Sequence, residues 1–72
     1  MSAGWNVRVT IPGEPPIIRY YLVYEPDKSV AVGLVKRKVP VAESETAEAV
    51  AEIALNKFVG QNMRPGDVKQ HV

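Results

Sequence analysis

A chain of 72 residues with 46% hydrophobic and 24% charged residues has the composition of one small globular domain, which excludes a disordered or fibrous protein. At this length folding buries only about 60% of the surface that the unfolded chain exposes, which excludes a second lobe with a deep cleft. The absence of cysteine excludes disulfide bridges and thiolate chemistry, and the net charge of +1 favours no class of partner. We predict a single α+β domain over residues 1–72.

The sequence contains no signal for export or membrane insertion. No basic stretch followed by an apolar run opens the chain, and no segment approaches the roughly 18 consecutive apolar residues of a membrane span. We therefore expect a cytoplasmic protein without a membrane partner.

Two strands are predicted in the first third of the chain. From Trp5 to Ile11 apolar and polar residues alternate, which is typical of a strand with one buried face. A segment rich in proline, residues 12–16, ends this strand in a turn. The second strand, residues 17–24, is rich in β-branched and aromatic residues and is apolar on both faces, as central strands are.

A third strand and then one helix are predicted in the remainder. Residues 30–41 begin as an apolar run and continue into three consecutive basic residues, which suits a strand that leaves the core at an exposed edge. Residues 47–59 carry apolar side chains at the i, i+3, i+4, i+7 spacing of an amphipathic helix. The tail from Val68 to Val72 alternates as a short strand does, while Asp67 could equally cap a helical turn. Both alternatives stay open for the tail.

The predicted fold is therefore α+β, with a three-stranded antiparallel sheet in β-β-β-α order. One amphipathic helix packs on one face of the sheet, and the C-terminus offers a short fourth strand. Because one helix shields only one side of a sheet, while the middle strand is apolar on both sides, the other side would expose an unusual amount of apolar surface.

This excess of exposed apolar surface predicts a small non-enzymatic interaction or regulatory module. It would bind another protein, or itself as a homodimer, through the open face of the sheet. The residues predicted for this interface share one face of the second strand: Ile17, Arg19, Tyr21 and Val23. The alternative assignment of the open face uses the opposite side, with Tyr20, Leu22 and Tyr24.

A basic sheet face is the alternative functional hypothesis. If the basic third strand shares a face with basic residues of the first two strands, that face could bind nucleic acid, since each neutralised phosphate releases counterions. The residues of this alternative site are Arg8, Arg19, Lys36, Arg37 and Lys38. The acidic segment 41–59, with four glutamates and one lysine, weakens the hypothesis because it would repel phosphates unless it faces away.

Few residues could catalyse a reaction or hold a metal. His71 is the one histidine and lies next to the C-terminus, where we expect it to be solvated. Glu48 and Glu52 have i, i+4 spacing, but two exposed carboxylates without a histidine make a poor metal site. The sequence has no glycine-rich phosphate-binding motif and no nucleophile elbow. We therefore expect no enzymatic activity, no metal and no small-molecule cofactor.

Overall fold

The computed structural model describes residues 3–39, 41–42 and 44–71. Within these ranges the backbone forms a four-stranded sheet and two helices. The elements in chain order are β1 (Gly4–Ile11), β2 (Ile17–Val23), α1 (Lys28–Lys38), β3 (Thr46–Ile53), α2 (Leu55–Gly60) and β4 (Val68–Gln70). The strands lie in the order β3-β1-β2-β4, and all neighbours are antiparallel.

Strands β1 and β2 form the central hairpin, as the sequence predicts. Their ladder pairs Ile11 with Ile17 beside the turn and Trp5 with Val23 at the other end. Side chains alternate between the two faces of a strand, so this register fixes which residues of β2 share a face with the apolar residues of β1. The larger core forms where that shared face packs against α1, with buried Val7, Val9, Tyr21, Val23, Ala31, Val35 and Ala49.

Helix α1 occupies the segment predicted as the third strand, which corrects that prediction. Asp27 caps its N-terminus, because its Oδ1 accepts a hydrogen bond from the Val30 N–H at 3.1 Å. Ala31 and Val35 lie one turn apart and are both 0% exposed. The last turn is basic, which the partial negative charge at a helix C-terminus favours. These features outweigh the β-branched composition of residues 30–39.

The segment predicted as the single helix is divided between β3 and α2, which is the second correction. Residues 46–53 pair with β1 and place Arg8 opposite Glu48. The register shifts between Asn6 and Val7, so that Val50 forms a bulge without a Cα partner. The N–H and C=O groups of β1 that point away from β2 need hydrogen-bond partners, and residues 46–53 supply them as a strand. This pairing outweighs the preference of their alanine and glutamate residues for a helix.

The predicted β-β-β-α order is therefore wrong, because the order is β-β-α-β-α-β. The α+β class, the antiparallel sheet and the fourth strand near the C-terminus are confirmed. Strand β4 pairs with β2, and Val72, which the sequence pattern includes in this strand, lies outside the described residues.

A smaller core lies on the face of the sheet opposite α1. Leu22 points to this side because it alternates with the residues that face α1, and it packs with Phe58 and Met63. The ring of Tyr24 stacks on that of Phe58 with centroids 4.7 Å apart. Helix α2 thus closes one end of this face. Neither described helix is long and apolar enough to cross a membrane.

Candidate interaction surfaces

The four residues predicted to form an interface do not share an exposed surface. Tyr21 and Val23 are 4% and 0% exposed, because α1 lies across them. A partner cannot reach these two side chains, so their assignment to an open face is wrong. Ile17 and Arg19 lie on the same side of β2, outside the area that α1 covers, and both are exposed.

The exposed part of the central hairpin comprises residues 12–19, which we call the hairpin arm. Every residue of the arm is exposed. Ile17 is 54% and Ile18 is 46% exposed, although isoleucine is among the residues most often buried in proteins. Because the two side chains point to opposite sides of β2, each side of the arm carries an exposed isoleucine.

The outer edge of β2 is only partly covered by β4. The ladder between them spans Tyr21–Val23, and the His71 N–H extends it by donating to the Tyr20 carbonyl oxygen at 2.9 Å. In the described part of the chain, no strand pairs with the outer edge of β2 over residues 17–19. An apolar strand edge with free backbone groups is a template for pairing with a further strand.

Among residues 3–39, 41–42 and 44–71, no element covers the face of the sheet opposite α1 between α2 and the arm. This open face carries the side chains of Arg8, Thr10, Ile18, Tyr20 and Glu48. The Arg8 Nη2 lies 3.0 Å from the Glu48 Oε2, and these side chains are 38% and 66% exposed. The open face thus combines one ion pair with apolar surface. Tyr20 belongs to the alternative set of the sequence analysis, whereas Leu22 of that set is buried beneath α2.

The five basic residues of the alternative hypothesis are not assembled on one sheet face, which corrects that expectation. Lys36, Arg37 and Lys38 form the last turn of α1 rather than part of a strand. Arg19 pairs with Val9 and so lies on the side of the sheet opposite to Arg8. Arg8 is also engaged by a glutamate. The basic residues therefore form one exposed cluster of three and two separate charges.

Acidic and basic residues are separated across the sheet. The acidic side chains on β3 and directly before it are Glu45, Glu48 and Glu52. Near the other edge, Lys69 lies on β4, and the Lys38 Nζ donates to the Gly66 carbonyl oxygen at 2.9 Å, just before β4. The β3 edge is thus acidic, whereas at the β4 edge the two lysines outnumber one acidic residue, Asp67, which directly precedes β4.

The described residues offer little that points to small-molecule chemistry. They contain no group of three or more His, Cys, Asp or Glu side chains that could hold a metal ion. His71 is exposed directly after β4. A surface depression open to solvent is lined by Lys36, Val41, Ala42 and Glu45. Strand edges and exposed apolar residues are the more distinctive features of this surface.

Comparison with known proteins identifies no relative of this chain. No protein-family model matches it, and no curated protein and no solved structure matches it significantly. The indications of function therefore come from the surfaces of the chain itself.

Proposed function

We propose that this chain is a non-enzymatic interaction module that self-associates through the hairpin arm. The observation that supports the proposal best is the exposure of Ile17 and Ile18 on opposite sides of β2, where no described strand pairs with its outer edge over residues 17–19. Burying apolar surface stabilises a complex by about 25 cal/mol per Å², and the free backbone groups add directional hydrogen bonds.

A second copy of the chain suits this surface, because the arms of two copies can pair with each other as antiparallel strands. When two arms pair about Ile18, that residue lies opposite itself, and Ile17 of each copy lies opposite Arg19 of the other. No like charges are then directly opposed, and the methylene stem of the arginine covers an isoleucine. On each side of the arm the exposed isoleucine thus gains an apolar neighbour across the strand pair.

Strand pairing at this edge extends the sheet, so the open faces of the two copies point to the same side and the Arg8–Glu48 pair lies outside the contact between the arms. The contact is therefore limited to the arms. An interface of two arms lies below the roughly 1,200 Å² of stable complexes, so we expect a weak dimer with a dissociation constant of about micromolar or higher.

Sedimentation velocity over a wide concentration range tests the proposal. We expect a concentration-dependent dimer for the wild-type chain and a monomer for Ile18→Thr. Val59→Thr is the matched control, because Val59 is 63% exposed on α2, away from the arm, and its loss should leave the dimer unchanged. A wild-type chain that stays monomeric at its solubility limit, or a dimer that Ile18→Thr does not weaken, contradicts the proposal.

Nucleic-acid binding is the second candidate function, supported by the exposed basic run Lys36–Lys38 at the end of α1. Three adjacent cations suffice for weak, non-specific contact with phosphates. The separation of Arg8 and Arg19 from this run makes it the less favoured candidate.

A further inference from the structure

Strand β3 is an edge strand with a long free side. It spans eight residues and pairs with β1 alone among the described strands. In an antiparallel pair, part of the backbone N–H and C=O groups of each strand point away from the partner. Such groups at an edge can bond to an added strand, as they do in proteins that bind extended peptides by strand addition.

We propose that β3 binds an extended basic segment of another protein as an additional strand of the sheet. The free edge supplies the hydrogen bonds, and the charges supply the selectivity. Glu48 and Glu52 lie on the strand, Glu45 precedes it, and residues 46–53 contain no basic side chain. Glu48 remains 66% exposed despite its ion pair with Arg8, so its carboxylate is accessible to a cationic partner.

The charges disfavour a second copy as the occupant of this edge. Two β3 strands would bring only negative charges together, and like charges across a strand pair are destabilising. The basic strand of this chain, β4, spans three residues and cannot match an eight-residue edge. A longer segment with regularly spaced lysine or arginine meets both requirements.

The bulge at Val50 restricts what can pair here. It interrupts the ladder between Ala49 and Ala51, and a bulge twists and bends the strand that contains it. Natural proteins use bulges and charged side chains to protect edges from indiscriminate pairing. The edge therefore selects a flexible segment of opposite charge over a flat preformed sheet.

A synthetic peptide as long as β3, with alternating lysine and valine, is the probe for this site. Two matched peptides serve as controls: one has glutamate in place of lysine, and one has proline at alternate positions and cannot donate the ladder bonds. Calorimetry at low salt measures affinity, and amide chemical shifts locate the site. We expect only the lysine–valine peptide to bind, with the largest shifts in residues 46–53.

Charge variants then test the selectivity. The bulge at Val50 places Glu48 and Glu52 on opposite faces of the sheet, so the lysines of the peptide, which share one face, lie beside only one of these glutamates. Either Glu48→Gln or Glu52→Gln, whichever changes the glutamate on that face, should weaken binding about two- to fivefold, the range of exposed ion pairs. Glu14→Gln makes the same change on the hairpin arm and should leave affinity unchanged. Equal binding of the proline peptide, shifts centred outside β3, or insensitivity to both β3 glutamates would each overturn the inference.

The outcome is independent of self-association through the arm. Ile18→Thr removes the proposed dimer contact but leaves β3 intact on the other side of β1. This variant should therefore bind the lysine–valine peptide as the wild-type chain does. Loss of peptide binding in it would overturn the assignment of the site to β3.

Discussion

Gly4, the first residue of β1, lies directly against the ring of Phe58 in α2. A methyl group added at this glycine would collide with the Phe58 ring and with the Val23 carbonyl oxygen. Phe58 is 0% exposed, and close-packed interiors leave a ring of this size no free space to move into. The missing side chain at Gly4 is therefore what allows α2 to lie close to the sheet.

We expect Gly4→Ala to lower the free energy of unfolding by about 1–3 kcal/mol, the usual cost of overpacking. Urea denaturation measures this change. Gly33→Ala is the matched control, because its added methyl meets nothing within 4 Å and alanine is the better helix former by about 1 kcal/mol. This control should be stabilising. A destabilisation equal to that of Gly4→Ala would contradict both the collision expected at Gly4 and the open space at Gly33.

The cap of α1 offers a test of the helix that the sequence pattern did not predict. Asp27→Ala removes the side-chain acceptor for the Val30 N–H, so we expect a loss of about 0.5–2 kcal/mol in the free energy of unfolding. Asp27→Asn keeps an acceptor oxygen and should lose much less. Denaturation followed by far-ultraviolet circular dichroism distinguishes the two variants. Indistinguishable stabilities would argue against a helix that begins at Lys28.

The ion pair on the open face should contribute little to stability. A double-mutant cycle with Arg8→Gln and Glu48→Gln is expected to give a coupling of about 0.2–1 kcal/mol, because both side chains are partly exposed. The coupling should fall at high salt. A parallel cycle with Arg8→Gln and Glu52→Gln is the control and should show almost none, since Glu52 lies opposite Trp5 instead.

The separation of the basic residues makes a quantitative prediction for nucleic-acid binding. If only Lys36–Lys38 contact a duplex, the slope of log K against log salt should be about −2.7, whereas all five basic residues together would give about −4.5. Fluorescence anisotropy of a labelled duplex measures the slope. A steeper slope that Arg8→Gln and Arg19→Gln both reduce would show that these two arginines contact the duplex together with Lys36–Lys38.

Strands β1 and β2 were predictable because their residues alternate and a turn-forming segment joins them. The register was also within reach, because the turn of residues 12–16 implies that Ile11 faces Ile17. That pairing puts Tyr21 opposite Val7 and therefore beneath the helix, which identifies Tyr20 and Ile18 as the residues of the open face. The interface prediction is wrong at Tyr21 and Val23 because this register places both residues on the face that α1 covers.

The exchange of helix and strand between residues 30–39 and 46–53 has a different cause. Valines favour strands, yet Ala31 and Val35 have helical spacing after a capping aspartate, and packing against the sheet decides the outcome. Residues 46–53 are rich in helix-forming alanine and glutamate, and only the free side of β1 holds them extended. The alternation of Ala47 and Ala49 with Thr46 and Glu48 was the one local sign of a strand.

The opposite charges of the two sheet edges give this chain an orientation that its net charge of +1 does not convey. An anionic matrix attracts the β4 side, and a cationic matrix attracts the β3 side. At neutral pH and low ionic strength, both cation and anion exchangers are therefore expected to retain the protein, each holding it by the opposite edge.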